Sequence, residues 1–176
     1  MDFKAFFGFS RKNIIIASVL LVLVLGLHLL RIESAKLDED LVYDYYQKNI
    51  NATRLFDAET LCGMMDPEYR MVDVGKTPRG EQRIVMGRKQ ACDATRESMG
   101  MMRRAVAKLR VEPEFKYTIE SVTLSPDRRR ATVKVRASMR IGKAISVASA
   151  GTETLVRRFR GVRSLGSETI SVVSVR

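Results

Sequence analysis

The sequence predicts an α+β domain that follows a single N-terminal transmembrane helix. Three observations support this: an uninterrupted apolar run near the N-terminus, apolar residues three to four apart over the middle of the chain, and alternating apolar and polar residues in its last third. A change from a period near 3.6 to a period of two indicates helices followed by strands. At 176 residues and 19.9 kDa, the chain has room for one domain and an appendage, which argues against a multidomain enzyme.

The apolar run at residues 14–30 reads IIIASVLLVLVLGLHLL, with thirteen Ile, Leu or Val residues, no formal charge, and basic residues on both sides. At about 1.5 Å per residue, a helix of this length covers roughly 26 Å, close to the hydrocarbon thickness of a bilayer. A cleavable secretory signal is the alternative, but it needs a shorter apolar core and a small-x-small site, which the following RIESA does not provide. We therefore predict an uncleaved anchor.

The predicted organisation is a short basic segment at 1–12, a transmembrane helix at 13–31, a linker at 32–40 and a folded domain at 41–176. The first twelve residues and the twenty that follow the apolar run, 31–50, carry three basic residues each, and acidic residues soon follow on the C-terminal side. Basic residues directly beside a span favour the cytoplasmic side, so we expect the N-terminus in the cytoplasm. In a bacterial inner membrane this orientation places the domain in the periplasm or outside the cell.

Three helices are predicted at the start of the domain. The first lies within 41–50, and the second begins at the N-cap Asp57 and ends at Asp66-Pro67. Gly87 then opens a helix of about five turns, whose stripe at three-to-four spacing consists of Ala91, Thr95, Met99 or Ser98, Met102, Val106 and Leu109.

The strands are predicted from alternation, and the longest clean one is 131–139. Slips in the alternation of the last two strands are typical of bulges in a bent sheet. We expect an antiparallel sheet with strands at 69–74, 83–86, 115–119, 131–139, 152–162 and 168–175, the last two joined by a loop at 161–166.

Three local phrases carry a resemblance to a known fold family: DAETLCGMMDPEYRMVD, IVMGRKQA and YTIESVTLSPDRRRATVKVR. With this order of elements, the chain from 41 to 175 resembles the nuclear transport factor 2-like superfamily. The resemblance implies a curved sheet wrapped around a long helix to form a cone, in a fold that hosts isomerases, dehydratases, ligand carriers and assembly modules. The plan of one anchor and such a domain is also similar to the bitopic core subunit of type IV secretion systems, although this chain has no Asn-Pro pair of that family's Asn-Pro-x-Gly element.

Enzymes of this superfamily use acids, tyrosines and often histidine in the cone, where burial raises the pKa of a carboxyl group. The one histidine lies in the predicted anchor. The resemblance therefore leaves Asp73, with Tyr45 or Tyr46 nearby, as the catalytic candidate, and an exposed aspartate at a strand end is the alternative. We expect no cofactor and no metal site, because two cysteines and one histidine cannot form a four-ligand zinc site without carboxylates.

Cys62 and Cys92 fall on apolar sides of two different helices. We expect two small buried thiols. The alternative is a disulfide, which would form in an oxidising periplasm if the two helices touch.

Charge is distributed unevenly along the domain: residues 38–100 have a net charge of −3 and residues 101–176 a net charge of +11. A basic face would meet a protein partner in an envelope complex or anionic headgroups or polymers. It lacks the interleaved aromatic residues of single-strand binders, so nucleic acid is not an expected partner. The predicted binding residues are Arg130, Lys134, Arg136, Arg140, Arg158 and Arg160.

The expected function is a single-pass, membrane-anchored binding or assembly module that engages a protein partner, an anionic surface or a small ligand. A membrane-tethered isomerase-like or dehydratase-like enzyme that uses a cone pocket is the alternative. A homodimer through the basic sheet face is disfavoured, because it would bury like charges.

Overall fold

The computed structural model describes residues 18–26, 36–77, 80–142, 145–159 and 161–175. The domain is α+β, with three helices and a curved six-stranded mixed sheet. The elements in chain order are α1 (Glu39–Arg54), α2 (Ala58–Met64), β1 (Met65–Thr77), β2 (Gly80–Gly87), α3 (Arg88–Leu109), β3 (Pro113–Leu124), β4 (Arg130–Ile141), β5 (Ile145–Arg158) and β6 (Gly161–Val175).

The helices begin at side chains that satisfy their free backbone N–H groups. Asp38 accepts a hydrogen bond from the Leu41 backbone N–H at 2.8 Å, and Asp57 accepts one from the Thr60 backbone N–H at 3.0 Å. Helix α3 follows Gly87 directly, as the sequence predicts, and runs for 22 residues. The order of the three helices is therefore confirmed.

The sheet has the strand order β2-β1-β6-β5-β4-β3. All neighbouring strands pair antiparallel except β1 and β6, which pair parallel. The prediction of a purely antiparallel sheet is wrong at this pair. Alternation of residues along a strand reports which face is buried, and it carries no information about which distant strand lies alongside.

The predicted boundaries are wrong at the last two strands. Strand β5 begins at Ile145 and ends at Arg158, and β6 begins at Gly161, so the predicted loop at 161–166 belongs to β6. Gly161 adopts a positive φ of 119°, which suits a tight turn. Gly166 was a misleading turn signal: a Cβ at this position would collide with the Arg70 backbone carbonyl group of β1, so glycine permits close strand approach.

The core lies between α1 and the concave face of the sheet. Its members come from the chain just before α1, from α1 and α2, and from β4 and β5, with aromatic and aliphatic residues of β3 packed against them. Helix α3 buries only Ala91 and Cys92, so α1 is the helix packed most deeply on the sheet. The buried cluster consists of Leu37, Val42, Tyr45, Tyr46, Met64, Ala131, Val133 and Leu155.

Cys62 of α2 and Cys92 of α3 form a disulfide, with their Cα atoms 5.2 Å apart. The expectation of two separate thiols is wrong because the apolar sides of the two helices face each other. Both cysteines are buried at this contact.

The chain divides into two compact units, residues 1–36 and residues 37–176. In the first unit, residues 18–26 are helical, and Val19–Leu25 expose more than half of their side-chain surface. The remainder of the predicted span at 13–31 lies outside the described residues. None of the helices in the described ranges has both the length and the apolar composition needed to cross a bilayer.

Candidate functional site

A buried cluster of hydroxyl groups surrounds one carboxylate where α1 meets β5. Tyr45 and Tyr46 are adjacent on α1 and both are buried against the sheet, Tyr46 with only 1% of its surface exposed. Glu153 lies on β5 two residues before Leu155, so strand alternation directs both side chains to the concave face. The interior of the sheet thus contains one acidic side chain at the contact with α1.

Each oxygen of Glu153 accepts a hydrogen bond from a different tyrosine. Tyr45 Oη donates to Glu153 Oε1 at 3.1 Å, and Tyr46 Oη donates to Glu153 Oε2 at 2.7 Å. The Ser164 hydroxyl group is buried near the same carboxylate, and it has no hydrogen-bond partner among the described residues.

Aromatic contacts fix the two phenol groups in place. The rings of Tyr45 and Tyr46 meet edge to face with centroids 5.3 Å apart, and Tyr46 also lies 5.3 Å from the ring of Tyr117 on β3. Such contacts favour one orientation of each ring beyond simple burial. The donors to Glu153 are therefore held by packing on both sides.

Burial controls the protonation of this cluster. Loss of hydration raises the pKa of Glu153 above its ordinary value of 4.5, while the nearby Ser164 hydroxyl group and the hydrogen bonds from Tyr46 and Tyr45 oppose the rise. Burial also raises the pKa of Tyr45 and of Tyr46, and the neighbouring Glu153 charge adds to the rise. Both phenols are therefore neutral donors at physiological pH, beside a carboxyl group that holds its proton more tightly than a surface glutamate.

This arrangement has two chemical uses. A buried carboxyl group with a raised pKa is suited to proton transfer. A carboxylate with a donor on each oxygen also forms a satisfied polar contact that fixes α1 on the sheet. An open groove of about 390 Å³ lies beside the cluster between α1, α2 and the β5–β6 turn; Tyr45 lines it, and Glu153 does not.

Asp73, the predicted catalytic carboxylate, has different partners. It accepts hydrogen bonds from Thr169 Oγ1 at 2.7 Å and Ser171 Oγ at 2.9 Å, both on the parallel neighbour β6. The structure therefore places Asp73 with two hydroxyl groups of β6, and it places Tyr45 and Tyr46 with Glu153. The hydrogen bonds of Asp73 therefore do not connect it to Tyr45 or Tyr46, in contrast to the prediction.

Glu153 was missed by sequence reasoning although a signal was available. The predicted strand began at residue 152, whereas β5 begins at Ile145. Both the predicted strand and β5 contain Glu153 and Leu155, which share the inward face, so an inward glutamate was the signal available in the sequence.

The predicted basic row on β4 is present. Arg130, Lys134, Arg136 and Arg140 are exposed and alternate with the buried Ala131 and Val133. Arg136 forms an exposed ion pair with Glu120 of β3 at 2.7 Å.

The outer face of the sheet, on which this basic row lies, has two further features: a groove and a partly apolar patch. A groove of about 510 Å³ crosses this face and includes two arginines, one from β1 and one from β2, that are not among the predicted binding residues. On β6, Ile170 and Val172 are half-exposed, so the face is basic along β4 and partly apolar beside it. Charged and polar residues lining the groove are Arg70, Arg83, Arg130, Thr152, Thr154 and Glu168.

Arg158, another predicted binding residue, is held within the domain. Its guanidinium group donates to both oxygens of Asp66 at 2.7 Å and 3.0 Å and lies 3.6 Å from Glu68. The Asp66 side chain is fully buried, and the donation from Arg158 lowers its pKa. Arg158 therefore serves the fold, and Arg160 lies outside the described residues.

No cluster of three potential metal ligands occurs in the described ranges. No family model matches the sequence, and no curated protein matches it either.

Several solved structures share the fold at low sequence identity. A conserved protein from Planctomyces limnophilus DSM 3776 is 18% identical with a TM-score of 0.55, covering 78% of this chain and 98% of that one. A domain of unknown function with a cystatin-like fold from Nostoc punctiforme is 12% identical with a TM-score of 0.53, covering 76% of each chain. An NTF2-like protein from Cytophaga hutchinsonii is 9% identical with a TM-score of 0.51, covering 76% of this chain and 98% of that one. The domain therefore has the NTF2-like, cystatin-like fold.

Proposed function

We propose that this chain is a single-pass, membrane-anchored binding or assembly module whose C-terminal domain lies outside the cytoplasm, in the periplasm of a bacterial cell. The anchor in this proposal is the apolar run at 14–30, which has no formal charge and basic residues on both sides. Such a run favours insertion by several kcal/mol, at roughly −0.4 kcal/mol per aliphatic residue.

The observation that carries the extracytoplasmic location is the disulfide between Cys62 and Cys92. Disulfides persist in oxidising compartments such as the periplasm and are rare in the reducing cytoplasm. Location and anchoring thus rest on two independent features, one in the folded domain and one in the preceding segment.

The binding surface in this proposal is the basic outer face of the sheet, and its partner is an acidic surface of another envelope protein. Arginine forms paired hydrogen bonds with carboxylates, which suits recognition of Asp and Glu side chains. Lys134, Arg140 and the groove arginines Arg70 and Arg83 are exposed on this face. Arg136 is already paired with Glu120 and contributes less.

Charge reversal on β4 tests the binding surface. Full-length chain carrying Lys134→Glu and Arg140→Glu should lose the envelope complex that the wild-type chain forms in mild detergent, measured as the mass of the purified assembly. Arg104→Glu with Lys108→Glu on α3 is the matched control, because it makes the same charge change at exposed positions of a helix. If the control and the β4 variant keep the same assembly mass, the basic face does not bind the partner.

A membrane-tethered isomerase-like or dehydratase-like enzyme is the second candidate, favoured by the raised pKa of Glu153 beside two neutral phenols. In this role Glu153 would exchange a proton with a small apolar substrate, and the tyrosines would position the carboxyl group. Glu153→Gln should then abolish turnover, and Asp73→Asn should leave it nearly unchanged. Turnover that survives Glu153→Gln would exclude an enzyme that uses Glu153 for proton transfer.

A further inference from the structure

The two turns at one end of the sheet lie beside the point where the chain enters the domain. The Leu37 backbone N–H donates to the Arg128 carbonyl group in the β3–β4 turn. The Arg157 backbone N–H, next to the β5–β6 turn, donates to the Arg129 carbonyl group at 3.2 Å. We call the surface formed by residues 126–130 and residues 157–159, next to the buried Leu37, the entry end.

Phe159 is the most exposed large apolar side chain of the described residues, with 91% of its surface accessible. It lies between the end of β5 at Arg158 and the start of β6 at Gly161. An isolated exposed aliphatic residue is common, but a fully exposed phenylalanine within the sequence RRFRGVR combines an apolar body with surrounding positive charge. This combination is typical of segments that rest in the interface of an anionic bilayer.

The entry end is rich in arginine. The Arg128, Arg129 and Arg130 side chains of the β3–β4 turn are exposed. Nearby acids are partly engaged within the domain: Asp66 binds Arg158, and Asp127 accepts hydrogen bonds from Ser125 and the Arg129 backbone. The exposed turn therefore presents more positive than negative charge.

The predicted span ends at residue 31, and six residue steps separate it from Leu37. At about 3.5 Å per residue, these steps extend no farther than about 21 Å. A tether of this length keeps the entry end at high effective concentration near the bilayer, so weak surface contacts suffice for docking. Each arginine near an anionic membrane contributes about a fivefold preference for the bound state.

We propose that the entry end docks on the anionic phospholipid surface of the membrane that holds the anchor, with Phe159 in the headgroup region and Arg128 and Arg129 on lipid phosphates. This inference rests on the anchored orientation proposed above and adds the orientation of the domain. Strand β4 begins at Arg130, at the entry end, and runs away from it to Ile141. Docking in this way leaves Lys134 and Arg140 directed away from the bilayer surface, where a partner protein has access.

The chain has no tryptophan, so a single substitution provides a local reporter. Full-length Phe159→Trp should be reconstituted in nanodiscs of phosphatidylcholine with phosphatidylglycerol and, separately, of phosphatidylcholine alone. We expect blue-shifted emission and quenching by brominated lipid in the anionic discs, and loss of both in the neutral discs. Adding Arg128→Glu and Arg129→Glu should lower the ratio of docked to undocked domain by about fivefold or more for each arginine removed.

Leu55→Trp is the matched control, because Leu55 is also a strongly exposed apolar residue, 73% accessible, at the far end of α1. Helix α1 has 16 residues, which at about 1.5 Å per residue separates Leu55 from the entry end by roughly 24 Å. Its emission should resemble that of tryptophan in water in both kinds of disc.

The outcomes separate the two proposals. If the chain stays in anionic discs but tryptophan at 159 remains in water like the control, docking is overturned and the anchor stands. Docking on anionic lipid is also overturned if tryptophan at 159 still shows docking in neutral discs when both arginines are reversed, because the contact then does not depend on charge. If the chain does not remain with discs at all, the anchor fails and the docking that rests on it fails too.

Discussion

At Glu153, a side chain that is normally exposed lies where α1 packs on the sheet. Its two oxygens are matched by the phenol groups of Tyr45 and Tyr46, so the polar group carries no unsatisfied acceptor toward α1. Burial still favours the protonated form, and the pKa of Glu153 is raised. The energetic consequence is a dependence of stability on pH.

Glu153→Gln should remove that dependence. A carboxyl group whose pKa is raised on folding contributes stability that is fully present below its unfolded pKa of 4.5 and is lost as pH rises through the folded value. The unfolding free energy of the variant relative to wild type should therefore increase as pH rises above about 4.5, by at most about 1.4 kcal/mol per pH unit.

Denaturant unfolding of both proteins between pH 4 and pH 8 measures this difference. Glu168→Gln, on the exposed outer face, is the control for the loss of one negative charge. A difference between Glu153→Gln and wild type that stays flat across this range would contradict a raised pKa at Glu153.

The sequence identified the tyrosines of this cluster but not its carboxylate. Tyr45 and Tyr46 lie on a helix whose apolar periodicity is plain in the sequence. Choosing Glu153 over Asp73 required knowing that β5 packs against α1, a contact between residues separated by 107 and 108 positions. Local periodicity was therefore enough to predict the two tyrosines, whereas the identity of the carboxylate depends on tertiary packing.

At the scale of elements, the disulfide joins α2 to α3 across 30 residues of sequence. Cross-linking over a loop of this length restricts the unfolded chain and is expected to contribute about 3–4 kcal/mol in the chain-entropy description. Helix α3 buries few residues of its own, so this link is a major constraint on its position.

Cys62→Ser with Cys92→Ser should lower the free energy of unfolding by about 3–4 kcal/mol. Chemical denaturation of the wild-type domain with and without reductant measures the same quantity, and the double variant should not respond to reductant. Equal midpoints for the oxidised and reduced wild-type protein would contradict a stabilising disulfide.

The parallel pair of β1 and β6 depends on a glycine. A Cβ at position 166 would meet the Arg70 backbone carbonyl group, whereas a Cβ at Gly63 in α2 has no atom within 4 Å. Gly166→Ala should therefore destabilise the domain by about 1–3 kcal/mol through overpacking.

Gly63→Ala is the matched control and should be neutral or stabilising by up to about 1 kcal/mol, because alanine favours helices. Thermal unfolding of both variants provides the comparison. Equal melting temperatures for the two variants would show that β1 and β6 do not approach each other as closely as described.

Helix starts were predictable because capping and periodicity are local. Asp57 and Gly87 are predicted to begin the second and third helices, and in the structure they are the N-cap residues of α2 and α3. The β1–β6 pairing and the extent of β6 were not predictable, because Gly161 and Gly166 carry the same turn signal and only one of them lies at a turn. The distinction depends on β1, about 100 residues earlier in the chain.

At the scale of the whole molecule, charge, covalent structure and the apolar segment indicate one arrangement. Residues 101–176, which contain β3–β6, carry a net charge of +11, and the β3–β4 and β5–β6 turns lie at the end where the chain enters the domain. The disulfide favours an oxidising compartment. The proposed orientation places the entry end at the bilayer and the basic face of β4 away from it.

The most direct test of this arrangement is protease treatment of intact spheroplasts from bacteria that express the full-length chain. The anchored, extracytoplasmic arrangement predicts that an epitope at the C-terminus is removed by external protease while a cytoplasmic marker stays intact. It also predicts that the untreated chain stays with the membrane pellet after alkaline carbonate washing. A C-terminal epitope that is degraded only after the membrane is dissolved with detergent would contradict the account.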